Sequence, residues 1–279
     1  YMCGGHHTDM HCNFANTYKR PESMKWLTDQ VGPFECNSTG YDVAECAKQY
    51  LKRTGNETRS ICEVLQAEGS PHVGIAEAFF SHVQLVHIAL ALNSLEAASL
   101  MFPKCSDDTF YWFDFFSLRQ CLKKAFVIEQ ILKLISDIGT TVAELDDGFT
   151  YFQRSFCILE SYATVLSHGK LLCVVRPVLM EEFDNHRWSM LIDKLPHALD
   201  SLHSESATSR SKEDEATIKQ FIQKTVGFRR LDRITRRAII DGCSRCTPAT
   251  GVLKLHIGEQ TPCGGNARQA EWEEVVQRY

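Results

Sequence analysis

Strongly apolar runs are concentrated in residues 73–200. The preceding 72 residues are polar and irregular apart from helical stretches at Val43–Leu51 and Thr58–Ala67, and Ser201–Glu215 is rich in serine, threonine and charge. Within the apolar region two periods alternate. Ile75–His82 (IAEAFFSH) reads as a short strand, followed by a helix over Val83–Met101 that Pro103 stops. Phe110–Ser117 (FYWFDFFS) is an almost continuous aromatic run, the pattern of a strand buried on both faces of a parallel sheet. Its single charge, Asp114, then needs a reason. Val127, Ile128, Ile131, Leu134, Ile135 and Ile138 recur at three- and four-residue spacing, which gives a helix one apolar face, and Gly139 follows as its C-cap. Thr140–Leu145 predicts a third strand, Gln153–Ser167 a helix ended by Gly169, and Leu171–Val175 a fourth strand. Met180–Leu202, interrupted at Pro196, predicts further helix.

Strand and helix in alternation imply a parallel sheet with helices on both faces. The expected fold is therefore α/β, a flavodoxin-like sheet of four to five strands with helical N- and C-terminal extensions. The chain divides into a Cys/His-rich segment (1–35), a small helical extension (36–72), the α/β domain (73–200), a polar linker (201–215), a basic helical segment (216–242) and a tail (243–279). No period of 20 to 50 residues repeats, which argues against a solenoid. Ligands of such sheets gather at the carboxyl ends of the strands, where strand order reverses. That principle selects Ser81 and His82 after the first strand, Asp114, Ser117 and Arg119 at and after the second, and Asp146 and Asp147 after the third. Glu160 joins them if its helix faces the same edge.

Composition narrows the function classes. A chain of 279 residues with 44% apolar content can bury a large core, and a net charge of −5 argues against a dedicated nucleic-acid or membrane-surface binder. The longest apolar run, Val83–Leu92, carries Gln84 and His87 and is too short to span a membrane. The first 20 residues show no secretory signal, and the start at Tyr1 leaves a fragment of a longer protein open. The sequons at Asn37 and Asn56 read as chance occurrences. Twelve scattered cysteines are too dilute for a disulfide scaffold, and Cys105, Cys121, Cys157 and Cys173 sit in or beside apolar runs. A reducing, cytoplasmic setting is expected.

Two Cys/His clusters, Cys3, His6, His11 and Cys12 near the start and Cys243, Cys246 and Cys263 near the end, lack a recognised zinc-module spacing. Structural zinc and a resident cofactor are therefore not expected. Lys219–Arg237 holds seven basic residues against Asp232 alone. It reads as the solvated face of the last helices, with an anionic partner as the alternative.

Three segments resemble the signature boxes of the Toll/interleukin-1 receptor (TIR) superfamily. AFFSH at Ala78–His82 resembles the first-strand "FISY/FISH" box, and FYWFDFFSLRQ at Phe110–Gln120 the second-strand box with its Asp. RSFCILE at Arg154–Glu160 resembles the helical "S-x-WC-x-x-E" box, with Phe156 in place of Trp. The second box is equally similar to the "WIDxxCINQ" motif of the related fungal heterokaryon-incompatibility domains. A broader likeness, from about Cys36 to Gly242, is to uncharacterised algal and protist proteins, some fused to kinesin-light-chain-like tetratricopeptide repeats. No such repeats occur here.

In TIR domains that hydrolyse NAD, the Glu of the third box lies beside the nicotinamide-bearing ribose and stabilises positive charge as the N-glycosidic bond breaks. The resemblance places Glu160 in that role. Ser81, His82, Asp114, Ser117 and Arg119 stand around it, with Phe116, Phe79 and Phe80 as stacking surfaces and Lys123 and Lys124 as further phosphate contacts. Without the motif, Glu160 is a solvated surface residue, Asp114 a cap at a strand-loop junction and Cys157 a core residue. Two functions are open. The favoured one is a TIR-like signalling module that self-associates or recruits other proteins. The alternative is an NAD glycohydrolase for which NAD, or an NAD-like nucleotide, is the substrate.

Overall fold

The computed structural model describes residues 11–12, 31–32, 38–102, 109–122, 127–176, 183–245 and 265–279. Six strands form one sheet: β1 (His11–Cys12), β2 (Val73–Gly74), β3 (Ala78–Ser81), β4 (Tyr111–Trp112), β5 (Thr140–Leu145) and β6 (Lys170–Val175). Their order is β2-β1-β4-β3-β5-β6. Four of them, β4-β3-β5-β6, are parallel, and two-residue β1 and β2 add an antiparallel edge. The chain moves outward from β3 to β4 and then returns to β5 on the other side of β3. The switch point of this flavodoxin-like α/β fold therefore lies between β3 and β5.

Two capped helices lie between β1 and β2. Helix α1 (Gly40–Arg53) starts at Thr39 and α2 (Ile61–Ala67) at Ser60. Each has a capping box in which the cap hydroxyl accepts an N–H and Asp42 or Glu63 returns the bond. After β3 comes α3 (Ile88–Met101); after β4, a single turn, α4 (Asp114–Ser117), and then α5 (Ile128–Ile138). Gly139 ends α5 at φ 73°, a left-handed conformation that suits glycine, and the chain turns straight into β5. A 3₁₀ turn at Thr150–Gln153 leads into α6 (Ser155–Leu166). Beyond β6 lie α7 (Phe183–Trp188), a π-helical turn at Ser189–Lys194, α8 (Leu195–Asp200), α9 (Lys212–Thr225), α10 (Phe228–Arg245) and α11 (Gly265–Arg278). Pro196 sits in the first turn of α8, where a missing N–H costs nothing.

Side-chain alternation divides the two faces. Phe80, Val142, Leu172 and Val174 pack with Ala91, Leu92 and Leu95 of α3, and with α1 and α2. On the other face, Ala143, Leu171, Cys173 and Val175 meet Ile239 and Ile240 of α10, while Phe79 and Trp112 meet Leu134 and Ile135 of α5. Gly242 lets α10 approach so closely that an added Cβ would lie 2.6 Å from Cys173 Sγ.

Three sequence expectations change. The aromatic run is a strand only at Tyr111–Trp112: a helical turn begins at Asp114, whose carboxylate accepts the Phe115 N–H at 2.8 Å. The stretch read as a linker packs down: Leu202, Ser204, Ala207 and Ser209 are buried, and the Thr208 carbonyl accepts from Ser155 N at the start of α6. The basic helical segment is not peripheral either, since α10 covers the sheet. Among the described residues no helix is long and apolar enough to cross a membrane.

Candidate functional site

Glu160 lies on α6, the helix that follows β5, and its partner comes from the end of β3. Ser81 Oγ donates to Glu160 Oε2 at 2.5 Å. The same hydroxyl is 2.7 Å from Tyr151 Oη, which is 3.0 Å from Ser161 Oγ. Tyr151 is itself held through its N–H by Asp146 Oδ1 at 3.2 Å. Ser81, Tyr151 and Ser161 are buried, whereas Glu160 is partly exposed. The carboxyl group thus sits at the switch point, fixed from beneath.

Its charge state is unusual. Burial pushes Glu160 up to about 8; the Ser81 hydrogen bond and the charge of His82 work against this, and the charge of Asp114 adds to it. Burial also lifts the Tyr151 phenol and the Cys157 thiol well above their ordinary ranges. Both are neutral hydrogen-bonding groups at pH 7.

Beside this carboxyl, over the opposite face of the sheet, His82 and Asp114 form a second unit. His82 Nε2 is 3.3 Å from Asp114 Oδ1, and Gln84 Nε2 donates to Asp114 Oδ2. The imidazole is stacked on Phe80 and edged by Phe113 and Phe115. Burial opposes its protonation, but the hydrogen bond and charge of Asp114, with Glu144 and Glu160 beyond, together outweigh it and raise its pKa. The other ring nitrogen, Nδ1, is buried without a hydrogen-bond partner among the described residues. Asp114 therefore has three structural uses at once: it is the first residue of a helical turn, anchors Gln84 and is hydrogen-bonded to a buried imidazole.

The remaining sequence candidates part company with the site. Arg119 is not held toward a ligand: its guanidinium grips Glu63 of α2, with Nε donating at 3.0 Å. Ser117 lies 3.8 Å from Cys62 Sγ, on the side of the helical lead-in. Phe116, Phe79 and Phe80 are at most 2% exposed, so none offers a ring face to a ligand. Asp147 pairs with His186 at 3.1 Å. Cys157 is buried, with Sγ 3.6 Å from the His82 carbonyl, as a core residue should be.

Lys123, Lys124, Cys3, His6, Cys246 and Cys263 lie outside the described residues; His11 and Cys12 form β1, and Cys243 is buried in α10. Among the described residues no group of three metal-binding side chains converges. Cys62 is disulfide-bonded, so the cysteines are not uniformly the reduced thiols that their scatter suggested.

Four participants escaped the sequence reading: Tyr151, Gln84, Glu144 and Arg176. Glu144 is fully buried on β5, where it accepts from Ser94 Oγ at 2.8 Å and Arg176 Nε at 2.9 Å. The signal for it was present, because TTVAEL, like the aromatic run, carries one charge in an apolar strand. No family model, curated protein or solved structure matches this chain.

Proposed function

We propose that this chain is a TIR-type domain that hydrolyses the nicotinamide–ribose bond of NAD or an NAD-like nucleotide, with Glu160 as the catalytic carboxyl. The observation that carries the reading is the 2.5 Å hydrogen bond between Ser81 and Glu160. Ser81 belongs to the segment resembling the first TIR box and Glu160 to the segment resembling the third. Their contact at the switch point is the arrangement that a shared site requires, and no motif spacing forces it.

In this reading the bond from the ribose C1′ to the pyridinium nitrogen breaks, its electron pair goes to the ring and neutral nicotinamide leaves. Water then adds at C1′ and gives up a proton to solvent. Glu160 Oε2 is held by Ser81, while Oε1 makes no hydrogen bond among the described residues and is available to the ribose. A neutral carboxyl is a poor partner for developing positive charge. The approach of a cationic nicotinamide ring favours the ionised form and draws the pKa back down, so the charge needed for stabilisation appears when substrate binds. Concentrated protein incubated with NAD is expected to release nicotinamide and ADP-ribose. Release of neither product in any oligomeric state overturns the reading.

The signalling and interaction role is a second reading, supported by exposed apolar side chains. Leu85, in the loop after β3, and Leu166, at the end of α6, are each 53% exposed. Self-association through them is expected to be lost in Leu85→Ser/Leu166→Ser, as read by sedimentation velocity. A wild type that is monomeric at every concentration and retains no other protein overturns this role.

A further inference from the structure

Away from Glu160, the first turns of α10, the residue 201–206 turn and the end of α11 enclose a cleft of about 840 Å³. Its walls bear Arg229, Arg233, Arg236 and Arg278 against two carboxylates, Glu205 and Asp232. These charges are not equivalent. Arg236 is committed to the fold, donating to the Leu199 and Leu202 carbonyls at 2.7 Å each, and Arg278 pairs with Asp200. Asp232 is turned inward and accepts the Ser204 N–H at 2.9 Å. Elsewhere in the basic stretch, Lys219 pairs with Glu215 and Arg237 with Asp241.

Of the cleft's four arginines, Arg229 and Arg233 remain. Both are exposed, both line the cleft, and neither makes a hydrogen bond or ion pair among the described residues. Four positions apart on one helix, their side chains rise from the same face about 6 Å apart at Cβ. Two uncommitted guanidinium forks at that spacing suit adjacent phosphoryl groups, which arginine holds bidentately.

The cleft also has apolar walls. Phe228 and Tyr279 line it, and Tyr279 is anchored through its hydroxyl, which lies 2.8 Å from Pro196 O and 2.7 Å from Asp200 Oδ1. A volume of this size lies in the ordinary range for organic ligands, about 300–1,000 Å³. We infer that this cleft binds a nucleoside diphosphate or a molecule that contains one, its phosphates on Arg229 and Arg233 and its flat ring system against Phe228 and Tyr279. The site is separate from Glu160 and stands or falls without the hydrolase reading.

Calorimetric titration of the full chain with ADP tests the inference, with adenosine and inorganic phosphate as controls. ADP is expected to bind better than either control, and Arg229→Gln/Arg233→Gln to weaken it about tenfold or more, since each lost fork removes charge-assisted hydrogen bonds. Both arginines are exposed, so the variant should unfold at the wild-type temperature. No binding of ADP by the wild type, or equal binding by the double variant, overturns the inference. Arginine-dependent capture by phosphatidylserine vesicles with no ADP binding also overturns it, by assigning the charge to a lipid surface.

Discussion

Ser81 and Glu160 are 79 residues apart in sequence, yet Ser81 Oγ donates to Glu160 Oε2 at 2.5 Å, one from the end of β3 and the other from α6. That bond offsets only part of the cost of burying the carboxyl, so Glu160 keeps its proton up to about pH 8.

The retained proton makes stability depend on pH. Below pH 4.5, the ordinary value for the group, folded and unfolded chains both carry the proton, and Glu160 contributes nothing to the pH dependence. Between there and about pH 8 the unfolded chain releases a proton that the folded chain keeps, so this group lowers stability as pH rises. Glu160→Gln removes the effect. Its unfolding free energy relative to wild type is expected to improve by about 1–3 kcal/mol between pH 5 and pH 8.5, measured by urea titration at each pH. A difference that does not vary with pH would place an ordinary exposed carboxylate at this position.

Glu144 and Arg176 form an ion pair at the carboxyl ends of β5 and β6, with Glu144 fully buried and the Arg176 side chain 12% exposed. Glu144→Gln leaves the guanidinium charge without its counter-ion, a change that costs about 3–5 kcal/mol when a buried pair is broken. Glu144→Gln/Arg176→Gln is expected to recover part of this, giving a positive coupling in a double-mutant cycle. Strictly additive losses would show that the pair does not act as one unit.

Gly242 sets how closely α10 approaches the sheet. In Gly242→Ala the new methyl meets Cys173 Sγ at 2.6 Å, inside a wall where Cys173 is only 1% exposed. Overpacking of this kind costs about 1–3 kcal/mol. Cys173→Ala makes room, so the double variant should melt above Gly242→Ala alone. A double variant no better than Gly242→Ala would mean that the obstruction is the Leu171 carbonyl, 3.3 Å away, and not the sulfur.

Where local pattern and tertiary role agree, the sequence was readable. Thr140–Leu145 is bounded by a left-handed glycine and an Asp-Asp-Gly turn, and the strand occupies those six residues. The helix before it follows its apolar period to within one residue. Phe110–Ser117 misled because continuous aromaticity reports burial, not extension. The backbone changes to a helical turn at Asp114, a change that a hydropathy pattern does not distinguish. Arg119 illustrates a second limit: its place after the second strand was correct, but Glu63, 56 residues earlier, takes its guanidinium. In the 201–209 stretch, burial falls on small and polar residues as well as Leu202, so composition alone reads as a linker.

The most direct measurement is the rate of nicotinamide release from NAD by wild-type protein, Glu160→Gln and Ser81→Ala at matched concentration, each across pH 5.5–9. Wild type is expected to turn over. Glu160→Gln, nearly the same shape but unable to ionise, should lose at least about 100-fold, the scale of removing one preorganised electrostatic stabiliser. Ser81→Ala should retain activity with its pH midpoint moved upward, because the hydrogen bond that favours the carboxylate is gone. Turnover by Glu160→Gln at the wild-type rate would contradict the assignment of Glu160 as the catalytic carboxyl.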